Sequence, residues 1–224
     1  MKRFVISLGG SLIVPSNIDV AFLRAFRVLI VSFIKRGYAF VIVCGGGKVC
    51  RDYQAAARKI TKVTGVDLDW VGISSTLLNA ELVRSIFGKI AFSHAILNPE
   101  KRLLTDKKLV VAGGFEPGWS SDMDSVLFAE QFKADTIINL SNIDYVYDKD
   151  PNKDKNARPL ERLSWQEFTK IFGRRWTPGL NSPFDPIAAL KARQLKLKAV
   201  IMGSDLKNLK GYLDGKPFKG TIIE

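Results

Sequence analysis

Three apolar runs in this chain each stop on bare glycine: RFVISLGG (3–10), AFVIVCGGG (39–47) and KLVVAGG (108–114). Runs so continuously apolar read as strands buried on both faces, which belong to parallel sheets covered by helices on each side. Between them the period changes. VAFLRAFRVLIVSFIKRG (20–37) is apolar at 22, 23, 26, 29, 30, 33 and 34, a helical stripe closed by Gly37. RDYQAAARKI (51–60) opens a second helix, and VGISSTLLNAELVRSIFG (71–88) is helical after its serine-rich start. The alternation predicts an α/β fold, a three-layer α/β/α sandwich with a mostly parallel central sheet.

The rest of the chain continues the pattern. KIAFSHAIL (89–97) is a strand candidate, and SDMDSVLFAEQFKA (121–134) is a helix with Ser121 or Asp122 as its cap. DTIINLSNI (135–143) reads as a buried strand, and SWQEFTKIFG (164–173) as a short helix with the capping pattern Ser164-x-x-Glu167. DPIAALKARQLKL (185–197) is a helix with Pro186 in its first turn, KAVIMG (198–203) a strand, and FKGTIIE (218–224) a closing edge strand. The polar loop 148–160 is expected at the surface, and with neither repeats nor a linker the chain reads as one domain over 1–224.

Composition narrows the function. Apolar residues make up 46% and charged residues 25%, an ordinary globular balance, and no apolar run approaches the ~20 residues of a membrane span. Lys2-Arg3 before an apolar stretch imitates a signal peptide, but Gly9 and Gly10 interrupt it, so it reads as the first strand. Cys44 and Cys50 make neither a disulfide framework nor a zinc site, which points to a reducing cytoplasm. The net charge of +12 points to an anionic partner: nucleic acid, a membrane surface or a phosphorylated small molecule. The basic C-terminal third, KARQLKLK (191–198) included, is read as a solvated face.

Glycine-ended strands on one sheet edge offer a floor of backbone N–H donors, where ligands of open α/β sheets collect. A Walker A loop is excluded, because G-x-x-x-x-G-K-[ST] would need glycine at Ile42 and a hydroxyl at Val49. GGGKVC also lacks the last glycine of the dinucleotide fingerprint.

SLGGSLI, VCGGGKVCRDY, DWVGISSTLLNAELV, SPFDPIAALKA and above all the stretch from Gly113 to Pro151 resemble, in this order, the amino acid kinase superfamily, and within it the UMP kinases. The resemblance implies a cytoplasmic, Mg²⁺-dependent phosphotransferase with ATP and UMP as its partners. It implies a homo-oligomer, a hexamer, with neither membrane nor nucleic acid as partner and no metal held by protein ligands alone. It divides the chain into an acceptor-binding part, about 1–134, and an ATP-binding part, about 135–224. The first glycine turn, Ser7, Leu8, Gly9, Gly10 and Ser11, would lie under the ATP phosphates; Gly46 would serve UMP and Gly47 ATP. Arg51 would reach the phosphates, unless it is simply a solvated residue on a first helical turn. Asp69 would accept the UMP ribose hydroxyls, with Asp67 as its competitor, and Phe115, Glu116, Pro117, Gly118, Trp119, Ser120 and Ser121 would surround the acceptor. Asp122 matches the carboxylate that organises transfer. Ser141, Tyr147 and Asp150 match the adenosine end, although a tyrosine there also suits ordinary core packing. Asp185-Pro186 matches the helix start of the nucleotide kinases.

Three positions depart from the pattern. VISLGG has no lysine near Ser7, leaving Lys48 as the nearest cation for the transferred phosphoryl. Tyr145 stands where glycine is usual, and Glu116 and Trp119 occupy variable acceptor positions. Two alternatives stay open: another acceptor on the same fold, or a basic binding protein that has lost catalysis. Isopentenyl phosphate kinases fit poorly, since the single histidine, His94, lies far from the glycine loop.

Overall fold

In chain order the strands are β1 (Arg3–Leu8), β2 (Ala39–Cys44), β3 (Leu109–Ala112), β4 (Thr136–Leu140), β5 (Val146–Tyr147), β6 (Pro159–Leu160), β7 (Arg162–Leu163), β8 (Lys198–Met202) and β9 (Thr221–Ile223). The helices are α1 (Gly10–Ile13), α2 (Val20–Lys35), α3 (Gly47–Ile60), α4 (Gly65–Phe87), α5 (Ser121–Phe132), α6 (Trp165–Phe172), α7 (Pro186–Gln194) and α8 (Leu206–Leu213). The computed structural model describes residues 1–151, 153–174 and 182–224. Among these, seven strands form one sheet in the order β3-β2-β1-β4-β8-β9-β7, while β5 and β6 make a separate antiparallel pair. Every pairing in the large sheet is parallel except β8 with β9.

Alternation along the strands sends side chains to two cores. Ile6 and Leu8 of β1, Phe40, Ile42 and Cys44 of β2, and Ile138 and Leu140 of β4 pack with α2 and α4 residues such as Phe26, Phe33 and Val83. Val5, Val41, Val43 and Ile137 face the other way, onto Val126 and Phe128 of α5, Phe168 of α6 and Ala188 of α7. The three-layer sandwich follows from those two apolar faces.

Several boundaries differ from the sequence reading. Segment 89–97 does not form a strand: Ala91 and Ile96 each bridge to β3, and the backbone bends away between them at Ser93 and His94. Gly47, not Arg51, begins α3. Thr64 caps α4 through its hydroxyl, so that helix starts at Gly65 and carries both Asp67 and Asp69. Ser120, rather than Ser121 or Asp122, caps α5, because its backbone is extended and its Oγ accepts the Met123 N–H at 3.3 Å. The C-terminal strand is not the edge, since β7 pairs outside it. The capping box of α6 and the start of α7 with Pro186 in its first turn form as the sequence predicts, and Asp185 proves to be the cap of α7. Loop 148–160 runs mostly exposed before β6, and Asn152 within it lies outside the described residues.

Candidate active site

Strand order reverses about β1, which runs between β2 on one side and β4 on the other, and the crevice beyond its carboxyl end is where such sheets bind ligands. The alternation that buries Val5 and Ile137 also turns Ser7 and Asn139 to the α5 side, and the two are direct neighbours across β1 and β4. Asp122, in the first turn of α5, closes over them. Its Oδ1 accepts from Asn139 Nδ2 at 3.1 Å and from Ser7 Oγ at 3.4 Å, while Oδ2 accepts the Asp185 N–H at 2.9 Å. Part of Asp122 faces the crevice, yet protein encloses its carboxyl. Desolvation therefore pushes its pKa up to about 7 against the Asp185 N–H, with the Asp185 charge adding to the push. One carboxylate thus ties β1, β4 and the start of α7 to α5.

The first two glycine turns touch. Gly9 N–H donates to Leu140 O at 2.9 Å and Gly45 N–H to Leu8 O at 3.0 Å, extending the ladder past the strand ends. A Cβ on Gly10 would overlap the Gly47 nitrogen, and one on Gly47, whose φ is +64°, would overlap the Gly10 carbonyl. Asn79 of α4 fixes the second turn from beneath, donating to Gly45 O at 2.8 Å and Gly46 O at 3.1 Å. Only bare backbone fits between these loops.

Two cavities open on either side of that contact. The larger, about 480 Å³, holds Ser7, Gly9, Asp122, Ser141, Tyr147 and Asp150 of the predicted set, together with Asn139, Tyr145 and Lys149. The smaller, about 160 Å³, holds Gly46, Asp69, Glu116, Trp119 and Ser121, with Gly45, Gln54, Thr76 and Asp124. Ser121 lines both. Phe115, Pro117, Gly118 and Ser120 shape the turn beside the smaller cavity without lining it; Asp69 Oδ2 anchors that turn by accepting the Gly118 N–H at 2.8 Å. Gly10 and Gly47 lie in the loop contact, and Ser11 follows in α1. The Leu8 side chain is buried in the α2/α4 core, so only its backbone reaches the loops. Tyr145, in place of the usual glycine, sets its ring edge-on to Tyr147 with centroids 6.4 Å apart, widening the aromatic wall.

Lys48 and Arg51 line neither cavity. Lys48 Nζ pairs with Asp52 at 2.6 Å, one helical turn on and exposed. Held there, Lys48 is a solvated residue, and Lys48→Met is expected to leave kcat within about twofold, because exposed i,i+4 pairs contribute little. A loss of about a hundredfold in steady-state kcat would show instead that the lysine leaves Asp52 for the phosphates. Arg51 is exposed as well, at the start of the second turn of α3.

Sequence reading missed Asn139, Asn79 and Asp124. The first had a signal, an asparagine inside the otherwise apolar strand TIINL. Asn79 and Asp124 look like ordinary helix residues until the tertiary contacts are known.

The family described as "Amino acid kinase family" matches residues 2–203. The uridylate kinase of Thermoplasma volcanium is 37% identical over 229 residues, covering 100% of this chain and 98% of that relative. That of Thermococcus kodakarensis is 32% identical, with 99% of both covered. The crystal structure of uridylate kinase from Archaeoglobus fulgidus superposes with a TM-score of 0.86 at 33% identity, covering 100% of both chains. The UMP kinase of Bacillus anthracis, at 22% identity and TM-score 0.79, shares the fold. With a family match over most of its length and full-length relatives above 30% identity, the chain belongs to the amino acid kinase family.

Proposed function

We propose that this protein transfers the γ-phosphoryl group of ATP to UMP, giving UDP and ADP. The observation that carries the reading is the pair of cavities that share Ser121 at the first turn of α5, on either side of the glycine contact. ATP occupies the larger, with its adenosine against Tyr147 and Asp150; UMP occupies the smaller, with its ribose at Asp69. The acceptor cavity is built from residues up to Asp124 and most of the donor cavity from later ones, which supports the division near residue 134.

Transfer breaks the bond between the γ-phosphorus and the β,γ-bridging oxygen and forms one to a phosphate oxygen of UMP. That oxygen carries no proton to remove at neutral pH, since a phosphomonoester has its second pKa near 6. The protein's task is alignment and charge. N–H groups of the glycine turns and of the α5 first turn meet the phosphates, Arg51 reaches them from α3, and Asp122 holds the floor. Mg²⁺ would come with ATP and neutralise its triphosphate; among the described residues no group of three His, Cys, Asp or Glu side chains could hold a metal ion. No described helix is long and apolar enough to cross a membrane. A cytoplasmic homo-oligomer, a hexamer by resemblance, completes the reading, with exposed Val66 and Trp70 one turn apart on α4 offering an apolar contact.

Coupled ADP release with UMP, CMP and acetylglutamate in turn tests the acceptor: UMP should give the highest kcat/KM, and a higher value for either rival would overturn it. The two halves should also separate by mutation. Asp69→Asn keeps an oxygen for Gly118 N–H but loses the sugar contact, so it should raise KM for UMP and spare ATP. Tyr147→Ala should do the reverse, each by on the order of 1–3 kcal/mol. Equal weakening of both nucleotides by either change would show that the cleft is assigned wrongly.

A further inference from the structure

Asp124 stands one place beyond Met123 on α5, and both of its carboxylate oxygens are buried without a hydrogen-bond partner. Gln131 Oε1 is the other buried side-chain atom in that condition among the described residues. An orphaned buried carboxyl is strongly disfavoured, so its presence asks for a partner from outside the chain. Asp124 lines the acceptor cavity while only 1% exposed, its Oδ2 lying behind Gly114, another lining residue. Gly114 leaves the way open: a Cβ there would stand 3.7 Å from Asp124 Oδ2, 3.2 Å from Thr76 Oγ1 and 3.6 Å from Ile73 Cγ1.

Neighbouring polar groups are already used. Thr76 Oγ1 donates to Ile73 O and accepts the Gly114 N–H, both at 2.7 Å. The Phe115 N–H favours the charged form of Asp124 from nearby without reaching hydrogen-bond geometry. Desolvation dominates and pushes the Asp124 pKa up to about 8, helped by the Asp122 charge. Of the three parts of the acceptor, the phosphate belongs to the N–H of Gly46 in the second glycine turn and would be repelled by a carboxylate. The ribose belongs to Asp69. The base remains, beside Trp119, whose ring meets Phe115 edge-on with centroids 5.7 Å apart.

Resting on the UMP reading above, we propose that Asp124 is a specificity-determining residue of the acceptor cavity, its carboxyl group reserved for the imide N–H of the uracil ring. A carboxyl oxygen accepts from that N–H, and when the group carries a proton it returns a bond to the carbonyl beside it. Against the ionised carboxylate, which can only accept, cytosine presents no hydrogen at the same ring nitrogen.

The test pairs a mutation with a modified acceptor. Asp124→Leu, of similar shape without polar atoms, should raise KM for UMP by about tenfold or more and leave KM for ATP within about twofold. The unliganded variant should melt higher than wild type, because the orphaned carboxyl is gone. Asp124→Asn keeps a carbonyl acceptor and should stay within about threefold of wild type. N3-methyl-UMP should be at least about tenfold poorer than UMP for the wild-type enzyme, and the Asp124→Leu enzyme should lose most of that discrimination. A folded Asp124→Leu enzyme with wild-type kcat/KM for UMP would overturn the proposal. So would a wild-type enzyme that treats the two acceptors alike, a comparison that needs no variant to fold. Wild-type enzyme that turns over UMP yet ignores the methyl group sinks this inference alone, whereas no UMP turnover at all sinks the acceptor reading beneath it.

Discussion

Gly47→Ala should lower kcat/KM by at least about a hundredfold while leaving a folded protein, because a displacement on the order of 1 Å between reacting groups is enough for such a loss. Two effects act together at this position. Its φ of +64° is a left-handed conformation, which costs an alanine about 1–2 kcal/mol. Its Cβ would also overlap the Gly10 carbonyl, backbone that has no rotamer to yield. The first turn would have to back away from the second, and with it the N–H donors under one nucleotide would separate from those under the other. Gly37 supplies the control. It has φ +90° at the end of α2 but nothing within 4 Å of the place an added methyl would take, so Gly37→Ala should lose stability of similar size and keep its kcat/KM. Thermal melts and steady-state kinetics on the pair separate strain from contact. Equal activity in the two variants would mean that the touching loops do not set the transfer geometry.

That contrast also marks what the sequence could and could not say. Glycine at the end of three apolar runs was enough to place three strand ends on one sheet edge, because a strand's burial is written in its own residues, although the N–H groups of Gly9, Gly45, Gly113 and Gly114 turn back into the protein rather than out to a ligand. The alternation of strand and helix likewise foretold the three layers, and SWQEFTKIFG its own capping box. What local pattern does not encode is which elements meet. Gly10 and Gly47 are remote in sequence, and nothing in either turn announces that each must be bare for the other. Lys48 is a cation beside a phosphate loop on paper, yet Asp52 one turn along is the nearer partner for its ammonium. FKGTIIE has the apolar composition of a strand, but its place inside the sheet depends on two residues of β7 that carry no strand signal of their own. Asp124 reads as a polar residue of a helix until the sheet, α4 and the acceptor turn close around it.

Asp122→Asn should cut kcat by at least about a hundredfold and at the same time make the protein more stable at pH 8. The sign follows from the direction of its pKa. The carboxyl ordinarily titrates at 3.8 and is pushed up to about 7 in the fold, so the folded state holds a proton that the unfolded chain releases between those values. Stability must then fall as pH rises through that window and level off above it, the opposite of a salt-bridged carboxylate. The penalty above pH 7 is at most on the order of 4 kcal/mol, less whatever water in the open cavity screens. Asparagine removes it at small cost. Its carbonyl can still accept the Asp185 N–H, and the Ser7 hydroxyl can turn to accept from the new amide, so the contact facing Asn139 Nδ2 is the one bond lost, worth about 1 kcal/mol. The balance favours the variant in stability. Activity goes the other way, because the bond to Asn139 and with it the tie from α5 to β4 is disturbed where the two cavities adjoin. Asp124 responds as well: losing the neighbouring charge lets its own pKa drop back. Denaturant titrations from pH 4 to pH 8 should show the wild-type slope flattened in Asp122→Asn, beside a kinetic assay that shows the loss. A variant with lower stability at pH 8 would mean that Asp122 is held charged by its hydrogen bonds, and that the carboxylate is a structural strut rather than a strained part of the transfer site.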